Sequence, residues 1–263
     1  MSPIPRLVGM VHLLPLPGSP RFTGSIDLVI SAAQEDALAL TAAGFPALMV
    51  ENFGDTPFHA GTVPAVTIAA MTVAVKGVIE ATGAIVGVNV LRNDAGSALA
   101  IAAATGASMI RVNVLIGMMH TDQGPIVGDA AMVARARAAL CPHVEIWADV
   151  MVKHATPPPG ADPAQLAHDT VARGLADAVI VSGPGTGSAP DPGQARTIAG
   201  AVPKGTRVVV GSGAGTSNLA DLVEMADTVI VGSSVKVDGD ANNRVDPDRA
   251  RAFFEVAARL GLV

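Results

Sequence analysis

The sequence has no tyrosine, six phenylalanines and one tryptophan, so aromatic residues make up 3% of its 263 positions. It has no run of basic residues, and its formal net charge is −6. A nucleic-acid binder needs a cationic surface and stacking platforms, and neither is present. Cys141 is the only cysteine, which excludes an internal disulfide and a cysteine-based metal cluster and suits a reducing cytoplasm. It stands before Pro142 at the end of a helical stretch and reads as a structural thiol. No uninterrupted apolar run reaches the roughly 18 residues of a membrane span. The apolar N-terminus is broken by Pro3, Pro5, Pro15 and Pro17, and only Arg6 precedes its apolar part, so no signal-peptide core emerges.

Half of the residues are hydrophobic and only 15% are charged, which is enough to bury a large core. Short β-branched runs alternate with alanine-rich helical stretches. Strands are expected at Leu7 to His12, Ala47 to Glu51, Ile85 to Leu91, Ser108 to Asn113, Val144 to Asp149 (extending toward Lys153), Ala178 to Ser182, Val208 to Val210 and Val229 to Val231. A helical stretch follows each strand, and no domain-sized break intervenes. The pattern predicts one α/β domain over residues 1–263, a (β/α)8 TIM barrel. The competing doubly wound sheet would carry an early G-x-G-x-x-G turn. The glycine clusters at Gly183–Gly187 and Gly211–Gly215 come late and have different spacing, so no nicotinamide cofactor is expected.

The last two strands share one design. Val208-Val209-Val210 runs into Gly211-Ser212-Gly213-Ala214, and Val229-Ile230-Val231 runs into Gly232-Ser233-Ser234. Small residues at such tips leave backbone N–H groups open to an anion, and barrels of this class bind phosphate after strands seven and eight. Gly211, Gly213, Ala214, Gly232, Ser233 and Ser234 are therefore the expected phosphate cradle.

At the ends of strands one to five, one parity is polar and the other apolar: His12, Glu51, Asn89, Arg111, Asn113 and Asp149, with Lys153 in phase with Asp149. A helix-facing charge would be buried at a cost of several kcal/mol, so this set points inward and lines a cup at the C-terminal mouth. The bottom face shows no such cluster. Lys153 beside Asp149 fits a general acid/base pair or a Schiff-base lysine with its proton shuttle. Glu51 is a second carboxylate for base work, and His12 titrates near neutrality. Arg92 and Arg111 suit a carboxylate or second phosphate. Asn89, Asn113, His154 and Ser182 are expected substrate contacts. His12, Glu51, Asp149 and His154 could together ligate a divalent metal, although no H-E-x-x-H spacing supports it. Some of these groups could instead pair with one another, Arg111 with Glu51 or Asp149. No Gly-x-Ser-x-Gly elbow is present. Thr121 to Gly124 could reach over the mouth or be a solvated turn, and Met118, Met119 and His120 read as loop packing rather than ligands.

Several motifs carry a family resemblance. They are the stretch Gly9 to Pro20 (GMVHLLPLPGSP), Glu51-Asn52-Phe53-Gly54-Asp55, Asn89-Val90-Leu91-Arg92-Asn93-Asp94, Arg111-Val112-Asn113-Val114, Thr121-Asp122-Gln123-Gly124, Ala148 to His154 (ADVMVKH), and Val181-Ser182-Gly183 with Thr186-Gly187. In this order the chain resembles the BtpA/SgcQ family. The resemblance implies a ribulose-phosphate-binding type of barrel but no particular reaction. The family takes its name from a role in photosystem I biogenesis.

Three functions follow as expectations: an enzyme acting on a small phosphorylated metabolite by isomerase, lyase/aldolase or hydrolase chemistry; a non-catalytic assembly or stability factor; and a sensor that binds a phosphometabolite without turnover. A homo-oligomer is compatible with each.

Overall fold

A computed structural model describes residues 5–263. Pro3, one of the prolines named above, lies outside them. The barrel strands are β1 (Leu7–His12), β2 (Ala47–Glu51), β3 (Ile85–Asn89), β4 (Met109–Val112), β7 (Glu145–Val150), β9 (Ala178–Val181), β10 (Arg207–Val210) and β11 (Thr228–Val231). All pair in parallel, and the sheet closes through β1 and β11. Around it lie α1 (Ile26–Ala43), α2 (Ala65–Thr82), α3 (Ala95–Thr105), α4 (Ala130–Leu140), α5 (Pro163–Ala172), α6 (Pro192–Ala201), the short α7 (Leu219–Val223) and α8 (Pro247–Arg259). This is the (β/α)8 barrel that the alternation predicts.

Local chemistry sets the helix ends. The α5, α6 and α8 helices each begin with Asp-Pro: Asp162, Asp191 and Asp246 accept from backbone N–H groups of the first turn, and proline takes the first helical position. Gly44, left-handed at φ 109°, closes α1.

Two apolar layers follow from strand parity. Outward residues such as Val11, Val50, Val88, Ile110 and Ala148 pack against the helices. Inward residues Val8, Met10, Met49, Met109, Trp147, Ile180, Val209 and Ile230 fill the barrel. The bottom face, expected above to show no polar cluster, carries one charged pair: Glu145 accepts from Trp147 Nε1 (2.8 Å) and Arg207 Nη1 (3.2 Å). These two residues begin their strands, at inward parity, where sequence position alone gives no sign that they meet.

By length and composition α2 could cross a bilayer, but here it belongs to the outer layer of the barrel, in contact with α1, α3 and β3, with Thr67, Ala70, Met71, Ala74, Val75 and Val78 buried.

Two departures from the expected pattern concern the mouth. Thr121 to Gly124 is a turn, but the residues flanking it, expected as loop, are strands: β5 (Met118–Thr121) pairs with β6 (Gly124–Val127), and β8 (Ala155–Thr156) adds to β5. Met119 and Ile126 pack with Val114 and Val152 beneath this small sheet. In addition, β7 stops at Val150 and does not reach Lys153. Met151 (φ 59°) and His154 (φ 54°) adopt left-handed backbone, so Lys153 is presented by a turn and not by strand alternation.

Candidate active site

Register builds the polar ring. His12 pairs with Glu51, Glu51 with Asn89, and Asn89 with Arg111. The ladder then shifts: Arg111 stands opposite Trp147, so Asp149 lies one inward position higher. A long arginine reaches across that step. Arg111 donates from Nε to Asp149 Oδ2 and from Nη2 to Oδ1, both at 2.8 Å. Ser182 Oγ (3.1 Å) and Asn113 Nδ2 (3.3 Å) also donate to this carboxylate. Asn89 Nδ2 donates to the Arg111 carbonyl and to Asn113 Oδ1. All five residues are buried. Burial alone would lower the Arg111 pKa, but the Asp149 charge and hydrogen bonds more than offset it, and the net direction is upward.

This network corrects two expectations. Asp149 is fully engaged by fixed donors and has no ion pair with Lys153. Asn89, Asn113 and Ser182 form the bonded bed of the cup and do not line its main cavity.

That cavity, about 550 Å³, lies above the bed and between the loops. Its ionisable lining is Glu51, Arg92, Asp122, Lys153 and His154, and its apolar lining is Phe53, Phe58 and Leu91. Glu51, 3% exposed, accepts no side-chain hydrogen bond among the described residues. Lys153 makes no ion pair within 4.0 Å among them either. Burial, then Arg111, lowers the Lys153 pKa below that of a free lysine, against opposing contributions from Glu51 and Asp149. Arg92 donates to the Lys153 carbonyl, which holds the turn that carries the amine. Burial also lowers its pKa.

His12 forms the inner wall. Its Nδ1 lies 2.9 Å from the Ala241 carbonyl and donates to it, so Nε2 is left with a lone pair. Its ring stacks on Phe53 at 4.3 Å. Burial, followed by the charge of Lys236, pushes its pKa down to about 3. The 3.9 Å approach of Nε2 to Glu51 Oε1 is therefore no ion pair: the ring is neutral, and two acceptors face each other. Such a pair suits an ammonium donating to both, or a hydroxyl donating to either one.

His154 closes the rim. Its Nε2 accepts from Thr186 N (3.2 Å) and sits 3.0 Å from Thr186 Oγ1, while its backbone N–H donates to Pro184. The loops after β7 and β9 are thereby tied together. Burial lowers the His154 pKa, with Lys153 the next cause. Of the proposed metal set, His12 and Glu51 approach each other, and no other histidine–carboxylate pair of the set lies within 4.0 Å among the described residues. Among the described residues, no group of three His, Cys, Asp or Glu side chains converges on one point.

The glycine tips border the same space. A niche lined by Gly211, Gly213, Gly232, Ser233 and Gly187 opens beside His12, Glu51, Lys153 and Thr186. Gly211 has no room for a side chain: a Cβ would stand 2.4 Å from Ile180 and 3.2 Å from Arg111. Gly213, at φ +72°, lies against the Ser188–Ala189 backbone. Ser234 Oγ donates to the Ala214 carbonyl and ties the two tips together. Ala214 buries its methyl group in the core, so only its backbone is available. Ser233 remains partly open.

Sequence reasoning passed over Phe53, Phe58, Leu91 and Thr186. The available signal was the presence of two of six phenylalanines in one loop, Asn52 to Phe58. It also missed a buried cluster behind His12, where Asp36 meets Arg244 Nε (2.9 Å) and Lys236 Nζ (3.6 Å). Cys141 is buried, as expected of a structural thiol, and burial raises its pKa.

The chain is 47% identical over 252 residues to photosystem I biogenesis protein BtpA of Synechocystis, covering 96% of this chain and 88% of that one. It is 46% identical over 254 residues to an uncharacterized protein of Thermococcus kodakarensis, covering 97% and 95%. Among solved structures, phosphoribosyl anthranilate isomerase from Thermus thermophilus superposes with a TM-score of 0.59 at 16% identity, over 97% of this chain and 99% of that one, a likeness of fold. Residues 5–259 match the BtpA family profile, and the chain belongs to the BtpA family.

Proposed function

We propose that this protein is an enzyme acting on a small phosphorylated metabolite at the C-terminal mouth of the barrel. The observation that carries this reading is the contrast within the cup. Arg111 and Asp149 satisfy each other, whereas Glu51 and Lys153 reach the cavity unpaired, next to the glycine niche. Leaving a buried carboxylate without a partner is costly for a purely structural protein. The phosphate sits against the backbone of Gly213, Gly232 and Ser233, and the carbon skeleton extends over Glu51 and Lys153.

Lys153, with its lowered pKa, takes a proton from the substrate or condenses with a carbonyl and releases water. Glu51 holds or returns the proton, and His12 Nε2 accepts from a substrate hydroxyl. Isomerisation and aldol-type cleavage both need this proton transfer beside a carbonyl. The solved neighbour named above, whose name describes a phosphoribosyl substrate, supports a phosphate-bearing ligand only by analogy of fold.

The test is a panel of phosphorylated aldoses and ketoses followed by NMR, with Glu51→Gln and Lys153→Met alongside wild type. Expected is turnover in wild type and a loss of at least roughly a hundredfold in each variant. Unchanged turnover in both variants would overturn the assignment. The name of the 47% identical relative supports a second reading, an assembly factor. That reading predicts no turnover on any panel member and unimpaired partner binding by both cup variants.

A further inference from the structure

The niche and the main cavity are neighbours: Glu51, Lys153 and Thr186 line both. The main cavity has a wall that the niche does not share. Phe53, Phe58 and Leu91 face the cavity there, with Arg92, Asp122 and His154 at its polar edge. In a chain that is 3% aromatic, two half-buried phenylalanine rings beside one cavity are a concentrated apolar surface. Phe53 is already fixed by stacking on His12, 4.3 Å apart and 15° from parallel. Its orientation is therefore set before any ligand arrives. The volume, about 550 Å³, lies in the range that encloses a whole small-molecule ligand. A bare sugar phosphate offers mostly hydroxyls to this wall and gains less from two aromatic rings than a flat unsaturated ring does.

We propose that the ligand carries, besides its phosphate, a planar unsaturated ring seated against Phe53 and Phe58, and so belongs to the aryl- or base-substituted pentose phosphates. Polar substituents of the ring meet Arg92 and Asp122. This rests on the phosphate reading above and narrows its substrate class.

The experiment compares uridine 5′-monophosphate, adenosine 5′-monophosphate and ribose 5-phosphate by calorimetry, with uridine as the phosphate-free control, in wild type and Phe58→Leu. One stacked ring corresponds to a gain of roughly tenfold to a hundredfold. Expected is that at least one nucleotide binds wild type at least roughly tenfold more tightly than ribose 5-phosphate, with the ratio collapsing toward one in Phe58→Leu. If all three phosphates bind with similar affinity in wild type, the ring proposal is overturned and the phosphate reading stands. If uridine binds as tightly as its monophosphate, or if nothing binds, the phosphate reading fails and takes the proposal with it. The wild-type ratio alone decides the matter should Phe58→Leu fail to fold.

Discussion

The Arg111–Asp149 pair gives a sharp test of which polar groups in the cup hold the structure and which are left for chemistry. Both side chains are sealed, at 1% and 0% exposure, and joined by two 2.8 Å hydrogen bonds. Arg111→Met leaves a carboxylate buried with only Ser182 and Asn113 as donors. Removing one partner of a buried pair costs about 3–5 kcal/mol, and the two remaining donors place this case near the lower end. At about 2–4 °C per kcal/mol for a chain of this size, the melting temperature should fall by roughly 6–12 °C. Asp149→Leu strands the guanidinium instead and should cost about as much. The double variant removes both charges, so its loss should fall short of the sum of the single losses by about 2 kcal/mol or more. Urea unfolding followed by circular dichroism measures all four proteins. Single losses below about 1 kcal/mol, or strict additivity, would refute the structural role assigned to the pair.

Other outcomes follow from the same geometry. His12 has a pKa of about 3 when folded against 6.5 in the reference state. It thus favours the fold above pH 6.5, and that stability is lost toward pH 3 at up to about 1.4 kcal/mol per pH unit. His12→Gln should flatten this acid limb in unfolding curves, and parallel curves for the two proteins would exclude the buried neutral ring. If Lys153 acts as the neutral amine, turnover should rise with pH through a midpoint below the ordinary lysine range, because its pKa is lowered. A pH–rate profile without that limb contradicts the role. Gly213→Ala forces a Cβ to within 2.1 Å of Ala189 N, displacing the loop that borders the niche. Inorganic phosphate should then compete at least roughly tenfold less well in a ligand-displacement assay.

Much of this was legible in the sequence, for a definable reason. Strand parity has a period of two, and a strand buried on both faces admits polar groups only toward the barrel axis. His12, Glu51, Asn89, Arg111 and Asp149 could therefore be placed inward from alternation alone. Which of them meet was not legible, because that depends on register between strands. The offset that puts Arg111 opposite Trp147 raises Asp149 into reach of the guanidinium, and no local pattern encodes it. Lys153 was assigned by extending alternation past Val150, but left-handed Met151 ends that alternation, and a non-glycine residue carries no signature of this conformation. The β5–β6 hairpin was hidden because its strands are short and are stabilised by β8, which lies far along the chain. The Lys236–Asp36 contact joins residues two hundred positions apart, and its effect on His12 appears only in the folded molecule.

The most direct test of the central claim is a crystal structure with ribose 5-phosphate bound. The phosphate should lie against the backbone of Gly213, Gly232 and Ser233, with the sugar within hydrogen-bonding distance of both Glu51 and Lys153. A phosphate held elsewhere, with Glu51 and Lys153 out of reach of the ligand, would contradict it.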